Sequence, residues 1–169
     1  MFVHPALKLN HSAQFDAYDL ARSVGREFSL IGATIRLINS GVFDRHPELT
    51  VHMAHLSGGV SGMLARIRSF QDKKFWGTDG NKRHGTTPEM PFDHYIQNNM
   101  IFDTAGFAGG IGAVKAGLCE IPVDRIVFAT DYPQEIRSRE IVRDFVHNVR
   151  AIGPDGEKIL SGNVGKLLK

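Results

Sequence analysis

Residues Arg125-Ile-Val-Phe-Ala-Thr-Asp-Tyr-Pro133 decide how the rest of the chain is read. Ile126 to Ala129 is a short apolar run of the kind a strand buried on both faces shows. It stops at Thr130-Asp131-Tyr132-Pro133, where Pro133 biases Tyr132 toward an extended conformation and cannot continue a ladder. Asp131 is therefore expected at the C-terminal mouth of a strand, the end at which α/β proteins gather their chemistry. A carboxylate there can bind a metal, act as a base or cap the next helix, and its neighbours at the same mouth decide which.

Working outward, the same signal recurs three times upstream. Phe2-Val3 is ended by His4-Pro5; Leu49 to Leu56, with His52 and His55 inside it, is ended by Ser57-Gly58-Gly59; Met100 to Asp103 is turned by Thr104-Ala-Gly106. With a strand over 126–130, each run is followed by helical periodicity. The first helix spans about Phe15 to Ile38, with Leu20, Val24, Phe28, Ile31, Ile35 and Ile38 on its apolar stripe and Gly41 as its stop. The second spans Ser61 to Phe70, with Met63, Leu64, Ile67 and Phe70 inward. The third runs from Gly109 to Leu118, and the fourth from Ser138 to Val149, with Ile141, Val142, Phe145 and Val149 inward. Phe92 to Gln97 is a short helical turn, Pro154 starts a last helical stretch, and Asn163 is placed to cap a helix ending in Leu167-Leu168. Residues 71–91 form a polar loop long enough to carry function or to move. Four βα units in one domain over 1–169 imply a parallel sheet with right-handed crossovers. At roughly 40 residues per unit, eight units need about 320, within the range of an insert-bearing barrel. The chain is then either a small open α/β sheet or half of a barrel.

Composition narrows the class. Of the 169 residues, 42% are hydrophobic and 22% charged, which suits a globular domain with a core. A net charge of +2, without a run of like charges, argues against nucleic acid as a partner. No stretch reaches the ~18 apolar residues of a membrane span, and Met1-Phe-Val-His-Pro5 does not read as a signal peptide. The single Cys119 precludes an internal disulfide. A cytoplasmic protein is expected.

The strand mouths offer His4, His55, Asp103 with Thr104, and Asp131. Two imidazoles and a carboxylate make a ligand set for zinc, manganese or iron, and such an ion would polarise a substrate oxygen or bound water. His52, three residues before His55, faces the other side of a strand and is read as structural or helix-facing. His84 and His94 flank the long loop and could visit the mouth. A rival reading rests on Phe102-Asp-Thr-Ala-Gly-Phe-Ala-Gly-Gly-Ile-Gly112, where Gly109, Gly110 and Gly112 would contact a nucleotide phosphate at a helix start.

Five segments carry a resemblance. They are Phe2-Val-His-Pro5, Gly41-Val-Phe-Asp-Arg-His-Pro-Glu-Leu-Thr-Val-His-Met-Ala-His-Leu-Ser-Gly-Gly59, Phe102-Asp-Thr-Ala-Gly106, Asp124-Arg-Ile-Val-Phe-Ala-Thr-Asp-Tyr-Pro133 and Ser161-Gly-Asn-Val-Gly-Lys-Leu-Leu168. In this order they resemble the amidohydrolase superfamily, in the branch of aminocarboxymuconate-semialdehyde decarboxylase and the γ-resorcylate-type decarboxylases. The resemblance implies the C-terminal half of a metal-dependent (β/α)8 TIM barrel. It makes His4 similar to a fifth-strand metal ligand, His55 to a sixth-strand histidine that contacts bound water or substrate, and Asp131 to an eighth-strand carboxylate that is both ligand and proton carrier. Arg66 is similar in position to an arginine that binds substrate carboxylate, in some members across a dimer contact. The family's first-strand His-x-His, which supplies two further ligands, has no counterpart here.

The implied activity is decarboxylation, or hydrolysis, of a small carboxylated aromatic or semialdehyde, with zinc as the first expectation for the metal and manganese or iron as alternatives. The implied partners are a small carboxylate substrate and either further copies of the chain or an N-terminal half, because a half barrel exposes two sheet edges and an inner face. The alternative from another class is a catalytically inactive half-barrel module that needs a partner half.

Overall fold

A computed structural model describes residues 1–6, 13–71 and 88–167. Strands β1 (Phe2–Val3), β2 (Val51–Met53), β3 (Met100–Asp103) and β4 (Ile126–Val127) form one parallel sheet in the order β1-β2-β3-β4. The register pairs Phe2 with His52, His52 with Ile101, and Phe102 with Ile126. An open doubly wound sheet reverses its strand order at a switch point. Here the order is strictly sequential, as in a barrel, so the open-sheet alternative falls away and the chain is an α/β half barrel.

The helices between the strands are α1 (Arg26–Asn39), α2 (Leu64–Gln71), α3 (Phe92–Asn98), α4 (Ile111–Leu118) and α5 (Arg139–Arg150). One sheet face lies against them. Val51, Met53, Met100, Phe102 and Ile126 are fully buried there, in one core with Leu30, Ile38, Leu64, Val114, Phe145 and Val149. On the opposite face, which a complete barrel would enclose, Phe2 is 57% exposed and its ring meets His52 edge-on.

Several sequence expectations shift. Regular α1 begins only at Arg26, after turns in which Tyr18 and Asp19 are left-handed and after a wide turn over Ala21–Gly25. Its buried stripe is Arg26, Leu30, Thr34 and Ile38, while Phe28 is exposed. Met63, Phe70 and Ile141 are likewise more exposed than expected. Gly41 does stop α1, in the left-handed conformation that a C′ glycine adopts at no steric cost. Ser138 caps α5 by accepting from the Ile141 amide at 3.2 Å. The Asn163 side chain makes no capping bond, its Oδ1 having no partner among the described residues. It is buried and donates through Nδ2 to the carbonyls of Val123 and Ile126, at 2.7 and 2.8 Å, tying the last helical stretch to β4.

Strand β2 is shorter than the Leu49–Leu56 expected, and β4 ends at Val127 instead of 130. Beyond β4 the ladder is continued by a side chain: Thr104 Oγ1 donates to the Ala129 carbonyl and accepts from its amide, at 2.9 and 3.0 Å. Within the Gly-rich stretch after β3, Gly109 is explained by close approach. A Cβ on Gly109, whose φ is +79°, would meet Ile141 and Phe145 of α5. Most of the loop expected over 71–91, including His84, lies outside the described residues. No helix among the described residues is long and apolar enough to cross a membrane.

Candidate metal centre

His4, His55 and Asp131 converge at the C-terminal ends of β1, β2 and β4, each offering a ligand atom within 4.8 Å of the others. His4 Nε2 lies 3.5 Å from Asp131 Oδ1, and His55 Nε2 lies 3.6 Å from Asp131 Oδ2. The side chains grade from 36% exposed for His4, through 11% for Asp131, to fully buried His55, so the cluster opens on the His4 side.

The backbone holding them is unusual. His55, Leu56 and Ser57 have φ of +56°, +47° and +54°, and Gly58 and Gly59 continue the run as a left-handed turn. Left-handed geometry costs a non-glycine residue roughly 1–2 kcal/mol, so the surroundings must impose it. Asp103 accepts from the His55 amide at 2.9 Å, and Ser57 Oγ hydrogen-bonds Thr34 and the Leu30 carbonyl on α1. Asp131 is itself left-handed, at φ +52°, before the cis Tyr132–Pro133 bond. Its carbonyl accepts from the amides of Gln134 and Glu135.

Hydrogen bonds fix what the cluster atoms present. His4 Nδ1 lies 3.0 Å from the Pro5 carbonyl, which only accepts, so the Nδ1 hydrogen donates there and Nε2 carries the lone pair. His55 Nδ1 lies 3.0 Å from Glu27 Oε1, with the same consequence. Two imidazole lone pairs therefore face one carboxylate. His55 Nε2 and Asp131 Oδ2 are buried without a hydrogen-bond partner, a costly state unless a proton or a cation joins them. Two ligands bound at about 2.1 Å to a tetrahedral ion stand about 3.4 Å apart, close to both spacings here, so the residues present fit a divalent metal. Burial alone would lower the His55 pKa. The hydrogen bond and charge of Glu27, with the charges of Asp131 and Asp103, outweigh it and raise the value above ordinary histidine.

The other sequence candidates divide. Asp103 stands at its strand mouth, but its oxygens are taken by the amides of His55 and Ala105 and by His52 Nε2, at 2.9 to 3.0 Å. It pins β2 to β3. His52 lies beside Phe2 on the inner sheet face and not toward the helices, and its Nε2 meets this carboxylate at 2.9 Å. Arg66 is exposed on α2 with its guanidinium 4.9 Å from the Phe70 ring centroid, so the structure does not bring it into the cluster. His94 is engaged by Asn98 within α3.

Sequence reasoning missed Glu27, which lies on a helix and not at a strand mouth. It also missed Gly106, against which the His55 ring lies: a Cβ there would sit 2.5 Å from Nδ1. The charged pair Arg26-Glu27 beside an apolar stripe was the available signal, since Arg26 is buried and reaches Glu135 at 3.8 Å.

Fold and mouth together define one half of a parallel βα barrel carrying two histidines and an aspartate. No family model matches the chain. Among curated proteins it is 30% identical, over 139 residues, to the γ-resorcylate decarboxylase of Polaromonas sp. strain JS666, an alignment covering 80% of this chain and 39% of that one. Among solved structures it is similar to 2,6-dihydroxybenzoate decarboxylase in complex with 2,6-dihydroxybenzoate, with a TM-score of 0.81 and 24% identity over 98% of this chain and 49% of the other. A dihydroxybenzoic acid decarboxylase from Polaromonas sp. JS666, solved with manganese and 2-nitroresorcinol, superposes with a TM-score of 0.77 at 23% identity, covering 98% and 48%. The chain thus spans half or less of the length of the proteins it matches. In fold the chain corresponds to one half of the barrel of these decarboxylases, and over that half it is similar in sequence to the γ-resorcylate decarboxylases.

Proposed function

We propose that this chain is the metal- and proton-handling half of a divalent-metal-dependent decarboxylase for small aromatic carboxylates. The observation that carries the reading is the meeting of His4 Nε2, His55 Nε2 and the Asp131 carboxylate, with buried acceptor atoms left unpartnered between them. His4 and Asp131 hold the ion in this reading. A divalent cation bound there would supply positive charge to orient the substrate's carboxylate and a neighbouring oxygen. Loss of carbon dioxide breaks the bond from ring to carboxylate and leaves the electron pair on the ring carbon, which then takes a proton. Asp131 and His55 are the groups placed to carry that proton. Arg66 would reach a substrate carboxylate across a contact between two copies. Imidazole and carboxylate suit zinc, manganese and iron alike; manganese, present in a similar structure, is the first ion to test. A cytoplasmic setting goes with the single cysteine.

The exposure of Phe2 on the inner sheet face favours a second reading, in which the half barrel is inactive until a complementary half covers it. Calorimetric titration of the full chain with manganese and with zinc, alongside carbon dioxide release from 2,6-dihydroxybenzoate, tests both. Sub-micromolar binding lost in His4→Ala and Asp131→Ala, with release of carbon dioxide, is the expected result. Binding without turnover, and turnover gained on adding a polypeptide of four complementary βα units, selects the second reading. Absence of binding, or binding that survives both substitutions, overturns the metal centre.

A further inference from the structure

Glu27 lies in the first turn of α1, where a carboxylate offsets the helix dipole and needs no other purpose. Its surroundings give it one. Oε1 is 3.0 Å from His55 Nδ1, and Oε2 is buried without a partner, so among the described residues no cation draws the carboxylate elsewhere. Its backbone is gripped by the left-handed turn, since a Cβ on Gly58 would sit 2.7 Å from the Glu27 carbonyl carbon. The His55 backbone is held by Asp103, and the ring lies against Gly106. What remains free is the rotation of the imidazole and the choice of tautomer.

We propose that Glu27 is the positioning residue of the centre: it holds the His55 proton on Nδ1 and so aims the Nε2 lone pair at Asp131. An ionised carboxylate only accepts, which leaves Nε2 bare and facing Asp131 Oδ2 at 3.6 Å. With the proton held on Nδ1, His55 does not donate to Asp131 Oδ2, and that carboxylate is left for the ion that His4 and Asp131 would hold. The adjacent Arg26 reaches Glu135, in the turn that carries Asp131, so one turn of α1 touches both arms of the cluster.

The consequence for metal affinity rests on the metal-centre reading; the tautomer does not. Nitrogen-15 correlation spectra of the labelled, metal-free full chain, at alkaline pH where His55 is neutral, read the tautomer directly. The wild type is expected to show the Nδ1–H form, and Glu27→Leu the Nε2–H form or a mixture. Manganese affinity in Glu27→Leu is expected to fall about 10–100-fold. A purely structural role would lower the melting temperature and leave the tautomer alone. An Nε2–H wild type overturns the proposal, as does a folded Glu27→Leu that keeps Nδ1–H and binds manganese within twofold of wild type. If Glu27→Leu does not fold, the wild-type spectrum decides by itself. An Nδ1–H wild type that binds no metal refutes the metal centre and leaves the positioning role standing.

Discussion

Gly106→Ala tests how tightly the centre is built. Gly106 has φ +80°, and a Cβ there would sit 2.5 Å from His55 Nδ1 and 2.8 Å from His55 Cβ. Ordinary carbon contacts begin near 3.4 Å, so the ring must retreat by about 1 Å or the turn must open. A retreat of that size breaks the 3.0 Å bond from Nδ1 to Glu27. The left-handed alanine costs about 1–2 kcal/mol, and losing a buried hydrogen bond to a charged group costs about 1.5–3 kcal/mol. The metal-free protein should therefore lose about 3–5 kcal/mol in urea unfolding, and manganese affinity should fall together with it. Gly112→Ala is the control: nothing lies within 4 Å of the added methyl and the residue is inside α4, so it should be neutral or stabilise by up to about 1 kcal/mol. A Gly106→Ala protein within about 1 kcal/mol of wild type, with unchanged metal affinity, would refute the tight packing of His55 between Gly106 and Glu27.

Two further predictions concern pH and the far end of β4. The raised His55 pKa means that the folded state favours the proton. In the metal-free chain its stabilisation is present in full below the unfolded value of about 6.5 and is lost as pH rises through the higher folded value. The stability gap between wild type and His55→Gln should shrink with rising pH, and a gap that widens would contradict this. Metal affinity should run the other way, falling below the raised His55 pKa, where the imidazolium beside Asp131 repels a cation held there, as titrations at several pH values would show. Asn163→Ala strips the donor from the carbonyls of Val123 and Ile126 and should cost about 2–4 kcal/mol in thermal or urea unfolding; a loss under about 1 kcal/mol would mean that β4 is held by other means.

The strand positions were legible because short apolar runs bounded by Pro and Gly seldom fold as anything but buried strands, and β3 was read to the residue. The strand ends were not legible, because a side chain can continue a ladder, as Thr104 does opposite Ala129. The phase of α1 was obscured by Arg26 and Thr34, polar residues on its buried stripe. His4, His55 and Asp131 could be picked out because strand mouths are where side chains of distant segments meet. The left-handed His55–Ser57 run could not, since non-glycine residues seldom adopt it and nothing in their identity marks it. Glu27 was hidden for a related reason: its partner lies 28 residues away on another element, and a glutamate in the first helical turn is ordinary.

The cluster depends on what brings the two edges of the sheet together more than on any local motif. Neighbouring strands are about 4.8 Å apart, so β1 and β4 at the two ends of a flat four-stranded sheet would lie about 14 Å apart. Histidine and aspartate side chains reach only about 4.5 and 3.5 Å from their Cα atoms at ordinary bond lengths, too little together to close that gap, yet His4 and Asp131 stand 3.5 Å apart. An arc in the sheet and the residues that carry Asp131 past the end of β4 at Val127 must together close it. A cation between His4 and Asp131 would cross-link those two edge strands, so metal binding and closure of the arc draw on the same free energy. Any change to the buried core that flattens the sheet should then separate the two ligands without touching either.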